Sequence, residues 1–174
     1  MSAYSRAGIS FKLPDDWKEA PSWHESNDQE WLWKAPMDRQ SEAAVIVGCI
    51  NEEINPSDIE KFKEGGVQAL ADEEHDWMED ADDYEILDRG SIEIDGADCY
   101  YVEYSDHFEI DNEIWDYVYY DLYIPVTGGQ QVAKLSFEYE TGSGSAGKDD
   151  YKKSELIEQD RKLRDEVISS IRID

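Results

Sequence analysis

The chain has 174 residues, with 16 Lys and Arg against 43 Asp and Glu, a formal net charge of −27, 40% hydrophobic residues and 12% aromatic. That length and apolar share suffice for one domain, residues 1–174, with a single core that needs no disulfide or metal staple. The charge argues against nucleic acid and anionic membrane as partners, because both are bound through clustered Lys and Arg, and it favours a basic partner or a salty surrounding.

Residues 9–14, ISFKLP, alternate Ile9, Phe11 and Leu13 with Ser10 and Lys12, which predicts a half-buried strand ended by Pro14. Trp17 is then expected to cover the open end of the core while Asp15 and Asp16 stay in water. A polar stretch follows, dotted with Trp17 and Trp23, and EWLWKAP carries Trp31 and Trp33 on a second strand. EAAVIVGCINEE is a near-continuous Val- and Ile-rich run, the pattern of a central strand buried on both faces.

NPSDIEKFKEGGVQALADEE predicts the first helix, with Ser57 and Glu60 as a capping box and Ile59, Phe62, Gly66, Ala69 and Leu70 on one face. The Gly65–Gly66 pair weakens that helix, and close approach to a sheet would rationalise it. Residues 72–83, DEEHDWMEDADD, are the densest acidic run and read as a solvated helix end and loop. A calcium loop is the sharper alternative, but the D-x-[DN]-x-[DN]-G spacing is absent.

Four strands come next. Asp95–Gly96 marks a tight hairpin turn between YEILDRGSIEI and ADCYYVEYSDHF. EIWDYVYYDLYIPV and GGQQVAKLSFEYE follow, with Val118, Tyr120, Leu122 and Ile124 on one face and Tyr117, Tyr119, Asp121 and Tyr123 on the other. TGSGSAGKDD, residues 141–150, is expected to be a flexible loop by composition. The last helix carries Leu156, Leu163, Val167 and Ile171 as a stripe. The order β-β-β-α-β-β-β-β-α implies an antiparallel meander of about six to seven strands, covered by two main helices in an α+β, layered α/β/α arrangement.

A first strand ending in LPDDW, the hairpin strand DGADCYYVEY and the terminal VISSIRI together resemble the PsbP/Mog-like superfamily, with its DcrB- and LpqN-type bacterial members. The resemblance runs along nearly the whole chain. It implies a non-catalytic binding or accessory domain of bacterial style. No branch of the group has a residue pattern that transfers a site to this sequence.

Candidate chemistry is sparse. His24, His75 and His107 each lie in polar segments and are expected at the surface. No G-x-S-x-G, phosphate-binding loop or metal-ligand spacing occurs, so no enzyme and no cofactor is expected. Cys49 and Cys99 lie in apolar strands; free buried thiols and a disulfide both fit. The sequence as given opens with no leader pattern, and no apolar run approaches the roughly 18 residues that would span a bilayer. A soluble chain is expected, cytoplasmic as it stands or extracytoplasmic if a leader has been removed.

The aromatic residues carry more information. Trp23, Trp31, Tyr117, Tyr119 and Tyr123 either pack beneath covering elements or form a partner surface rimmed by carboxylates. The favoured function is an acidic binding or accessory protein that engages a protein partner, itself basic in character, through an aromatic sheet face. The alternatives are a chaperone or immunity-type partner of a basic secreted effector and, last, a hydrolase. The oligomeric state is open.

Overall fold

The computed structural model describes residues 1–21, 30–37, 42–145 and 154–174. In chain order its elements are β1 (Ser2–Arg6), β2 (Ile9–Leu13), β3 (Lys18–Ala20), β4 (Glu30–Lys34), β5 (Ala43–Ile50), α1 (Pro56–His75), β6 (Tyr84–Ile94), β7 (Ala97–Ile110), β8 (Glu113–Val126), β9 (Gln131–Ser145), α2 (Ser154–Ser169) and β10 (Arg172–Ile173). Seven strands form one antiparallel sheet in the order β3-β4-β5-β9-β8-β7-β6, and a separate three-stranded sheet is ordered β1-β2-β10. The class is α+β, as the alternation and turns predict.

Local chemistry sets the meander. Asp95 and Gly96 both have positive φ, 52° and 81°, the backbone that a two-residue hairpin turn requires. Asp111 and Asn112 do the same between β7 and β8, at 53° and 65°. Short polar residues tolerate that left-handed conformation better than branched ones.

The pleat sends alternate residues of each strand to opposite faces. On one face Val45, Val47, Leu122, Leu135 and Phe137 join Ile9, Phe11 and Leu13 of β2 and Val167 of α2. Phe11 meets Trp33 edge-on at 5.3 Å. Trp17 is buried against Phe137, while Asp15 and Asp16 are exposed, as the sequence predicts. On the other face Ile50, Tyr100, Val102, Tyr123 and Val132 meet Ile59, Val67, Leu70 and Ala71 of α1. Full burial of each large apolar side chain here stabilises by about 1.5–3 kcal/mol.

Several expectations are corrected. The small sheet is an addition: β2 leaves the main sheet and shares with α2 the task of covering the first face. β5 is interior, between β4 and β9, yet Ile46 is only half-buried. Residues 141–145 are not a loop; they extend β9 and pair with Glu113–Asp116 across a bulge, and residues 146–150 lie outside those described. The capping box is absent, because the helix starts two residues earlier, with Asn55 in place of Ser57 as the residue before it and Pro56 in its first turn. Asn51 instead closes the entry, its side-chain oxygen accepting from the backbone N–H of Glu53 and Ile54. Gly66 does not approach the sheet; it breaks the helix at φ 75°, ψ −171°, with open space where a Cβ would sit. Cys49 and Cys99 are both free. Among the described residues, no helix is long and apolar enough to cross a membrane.

Candidate functional site

α1 covers only part of its sheet face. Its contacts fall at Tyr100, Val102, Tyr123 and Val132, one end of the central strands, and stop at Tyr104, where the His75 ring lies 5.2 Å from the tyrosine ring. Towards the other end, β8 presents Tyr119, Tyr117 and Trp115, and β7 presents Tyr104, Asp106 and Phe108, all half-buried. Their rings form a continuous strip. Phe108 stacks on Trp115 at 5.5 Å and on Tyr117 at 6.0 Å, Tyr117 adjoins Tyr119 at 6.3 Å, and Tyr119 stacks on Tyr104 at 4.9 Å and 12°. Tyr104 continues to Tyr84 at 6.3 Å and Tyr84 to Trp77 at 5.1 Å, where Trp77 is 54% exposed.

Carboxylates run beside the rings. Glu140 and Glu138 of β9 stand directly opposite Tyr117 and Tyr119. Tyr117 donates its hydroxyl to Glu42 at 2.7 Å, and Glu140 accepts from the Glu42 backbone N–H at 3.0 Å. Asp106 lies opposite Tyr117 on β7. The Glu138 carboxyl is pushed up to about 7 by burial, with the Asp121 and Glu42 charges adding and Lys34 opposing. Burial, then neighbouring carboxylates, also raise the Tyr119 hydroxyl above its ordinary range.

A charged network, buried at His75 and Asp121 and half-buried at Lys134 and Glu74, anchors α1 where the strip passes beneath it. His75, 1% exposed, donates from Nδ1 to the Ala71 carbonyl at 2.8 Å and from Nε2 to Asp121 at 2.8 Å. Both partners only accept, so both bonds are made only by the doubly protonated ring. Asp121 also accepts from Ser136 at 2.6 Å and lies 3.3 Å from the Lys134 ammonium. Lys134 bonds Glu74 at 2.9 Å, and Glu74 accepts the Tyr123 hydroxyl. Two cations face two carboxylates. Burial works against the Asp121 charge, but Lys134, His75 and Ser136 outweigh it and hold its pKa below the usual carboxylate range.

At the level of sequence, no family model and no curated protein matches the chain. Solved structures do. The Ran-binding protein Mog1p of Saccharomyces cerevisiae superposes with a TM-score of 0.55 at 12% identity, covering 99% of this chain and 96% of that one. Cyanobacterial PsbP from Synechocystis gives 0.52 at 16% identity, covering 99% and 92%. LpqN of Mycobacterium tuberculosis, involved in cell envelope biogenesis, gives 0.51 at 13%, covering 95% and 82%. The fold is PsbP/Mog-like.

On this PsbP/Mog-like sheet the aromatic residues singled out from sequence separate. Tyr117 and Tyr119 lie together in the strip. Tyr123, on the same face, is 0% exposed beneath α1 and belongs to the core. Trp31 points to the opposite face, half-buried against the larger cluster, with the Arg6 guanidinium 5.8 Å over its ring. Trp23 and His24 lie outside the described residues. His107 is exposed as expected, paired with Asp116, but His75 is not. Part of the acidic run is likewise more than solvated loop: Arg89 gathers Asp72, Asp76 and Glu79 at 3.5, 2.9 and 2.8 Å. Among the described residues, no group of three or more His, Cys, Asp or Glu is arranged to hold a metal ion.

Sequence reasoning missed Tyr104, Phe108, Trp115, Asp106 and Glu138. The period-two run Tyr100, Val102, Tyr104, Asp106, Phe108 carries the signal for β7, because its partner residues on β8 are the tyrosines already singled out.

Proposed function

We propose that residues 1–174 act as one non-catalytic PsbP/Mog-like binding domain, engaging a protein partner through the strip from Tyr104 to Trp115. The observation that carries this reading is the half-covered sheet face: one end is sealed by α1, and the other offers rings and carboxylates in one row. Stacked, half-buried aromatic side chains supply large contact area at low entropic cost, and the rim of carboxylates supplies selectivity. The net charge of −27 favours a basic partner, which includes a basic secreted effector held by a chaperone or immunity protein.

The half-buried Ser136 with the buried Asp121 and His75 invites comparison with a hydrolytic triad, but their order argues against it. The serine donates to the aspartate, and both histidine nitrogens are engaged by other acceptors. A nucleophile needs the histidine as its own base. The set is therefore read as an anchor for α1.

The test is capture of partners from the native host at low and at high salt, with wild type and with Tyr117→Ala. A defined basic protein retained by wild type, released by salt and lost with the variant is the expected result. A partner unaffected by Tyr117→Ala would place binding elsewhere.

A further inference from the structure

We propose that the Tyr104–Tyr119 stack, with Glu138 and Asp106 beside it, is the receiving site for an arginine side chain of the partner. The inference rests on the reading of the strip as the partner-binding face and specifies its chemistry.

The molecule contains its own template. On the opposite face of the same sheet, Tyr101 and Tyr120 stack at 4.9 Å and 10°. Over that stack lies Arg164 of α2, its guanidinium carbon 4.9 Å from the Tyr120 ring centre. The guanidinium pairs with Glu103, the residue directly opposite Tyr120 on β7, and with Asp165 at 2.9 Å. A stacked tyrosine pair beside a strand carboxylate is thus how this sheet already holds an arginine supplied by another element.

The Tyr104–Tyr119 pair repeats the arrangement without the arginine. Its rings are 4.9 Å apart and inclined by 12°. Glu138 stands directly opposite Tyr119, on β9 instead of β7, and Asp106 lies two residues along β7 from Tyr104. Among the described residues, no arginine or lysine sits over these rings; from α1 the His75 ring packs against Tyr104, ring centres 5.2 Å apart. Lys134 is engaged elsewhere, with Glu74, with Asp121 and over the Tyr123 ring at 5.3 Å.

The chemistry selects arginine over lysine. A planar guanidinium lies flat on an aromatic ring while its in-plane N–H groups reach a carboxylate, whereas an ammonium is a hydrated point charge that gains less from the ring. Burial and the Asp121 and Glu42 charges raise the affinity of Glu138 for its proton against the opposing Lys34 charge, and a guanidinium at Tyr119 would add a further counter-charge. The strongly negative chain steers cations towards it from a distance.

The experiment is an NMR titration of the full chain at pH 8 with two capped pentapeptides, alike except for one central arginine or lysine. The arginine peptide is expected to shift the ring resonances of Tyr104 and Tyr119 and to bind about fivefold or more tightly than the lysine peptide. Glu138→Gln is expected to weaken the arginine peptide about fivefold, and Tyr119→Leu to erase the preference between the peptides, with Glu93→Gln as a distant control that changes neither. Amide dispersion checks the fold, and Glu138→Gln decides the question if Tyr119→Leu unfolds. Equal affinities, shifts spread over the acidic surface with these rings unmoved, or an indifferent Glu138→Gln would overturn the proposal. If strip variants lose the host partner while neither peptide moves the rings, the arginine site fails and the partner-binding reading stands. If the peptides behave as expected but host capture ignores the strip, the site stands and that reading fails.

Discussion

His75 shows how one residue can be misread from composition and still organise a region. It sits in DEEHDW, among acids, where a surface histidine is expected. The chain instead buries it between an α1 carbonyl and Asp121. His75→Ala removes one of the two cations that face the buried Asp121 carboxylate, and it is expected to cost about 3 kcal/mol in urea denaturation. A loss below about 1 kcal/mol would show that Lys134 and Ser136 satisfy Asp121 by themselves. Glu138 works in the opposite sense. Its native pKa, near 7, lies above the ordinary value of 4.5, so between those values the native state holds more protons than the unfolded chain. Stability from this group is therefore present below about pH 4.5 and is lost as pH rises through 7. Glu138→Gln is expected to stabilise the protein by on the order of 2 kcal/mol at pH 8 and to change little at pH 4.5. Denaturation curves at the two pH values check it, and equal effects at both would remove the charge as the cause. Asp121, lowered in the native state, has the reverse dependence. Its contribution is complete above the ordinary carboxylate range and is lost as acid protonates it.

α1 explains why His75 escaped a reading by periodicity. At about 100° per residue, an unbroken helix puts position 75 roughly 160° away from Ile59. Gly66 interrupts the helix, and beyond it the buried residues become Val67, Leu70, Ala71 and His75, a slip of about one position from the face that starts at Ile59 and Phe62. Positive φ with ψ near 180° is a conformation in which almost only glycine is found. Gly66→Ala is therefore expected to cost about 2 kcal/mol although nothing crowds the added methyl, and a shift in the urea midpoint measures it. The strands were more legible, because alternation and the Asp95–Gly96 turn act locally. β1 (SAYSR) and β10 (RI) carry too few apolar residues to announce themselves; they form because β2 offers them a free edge. TGSGS reads as a linker, yet it becomes strand because β8 runs on beside it to Glu113. The same long-range logic governs the candidate site. Tyr117 and Tyr119 were visible as a face, but which half of that face α1 covers depends on where the helix is anchored.

For the molecule as a whole, the charge of −27 must act on stability and on binding in opposite senses when salt is added. Self-repulsion among 43 carboxylates opposes compaction, and ions shorten its range from about 30 Å at 0.01 M to about 3 Å at 1 M. Added sodium chloride is thus expected to raise the unfolding free energy, most steeply at low ionic strength, without changing the denaturant slope. Attraction to a basic partner is screened by the same ions, so the association rate should fall over the same range. The His75–Asp121 pair, 2% and 3% exposed, lies largely beyond that screening, so the cost of His75→Ala should be nearly the same at low and high salt. Measuring stability of wild type and His75→Ala across a salt series separates the two contributions. Parallel rising curves would assign the salt response to the surface, whereas curves that converge at high salt would mean that the network itself is open to solvent ions and is not the anchor of α1.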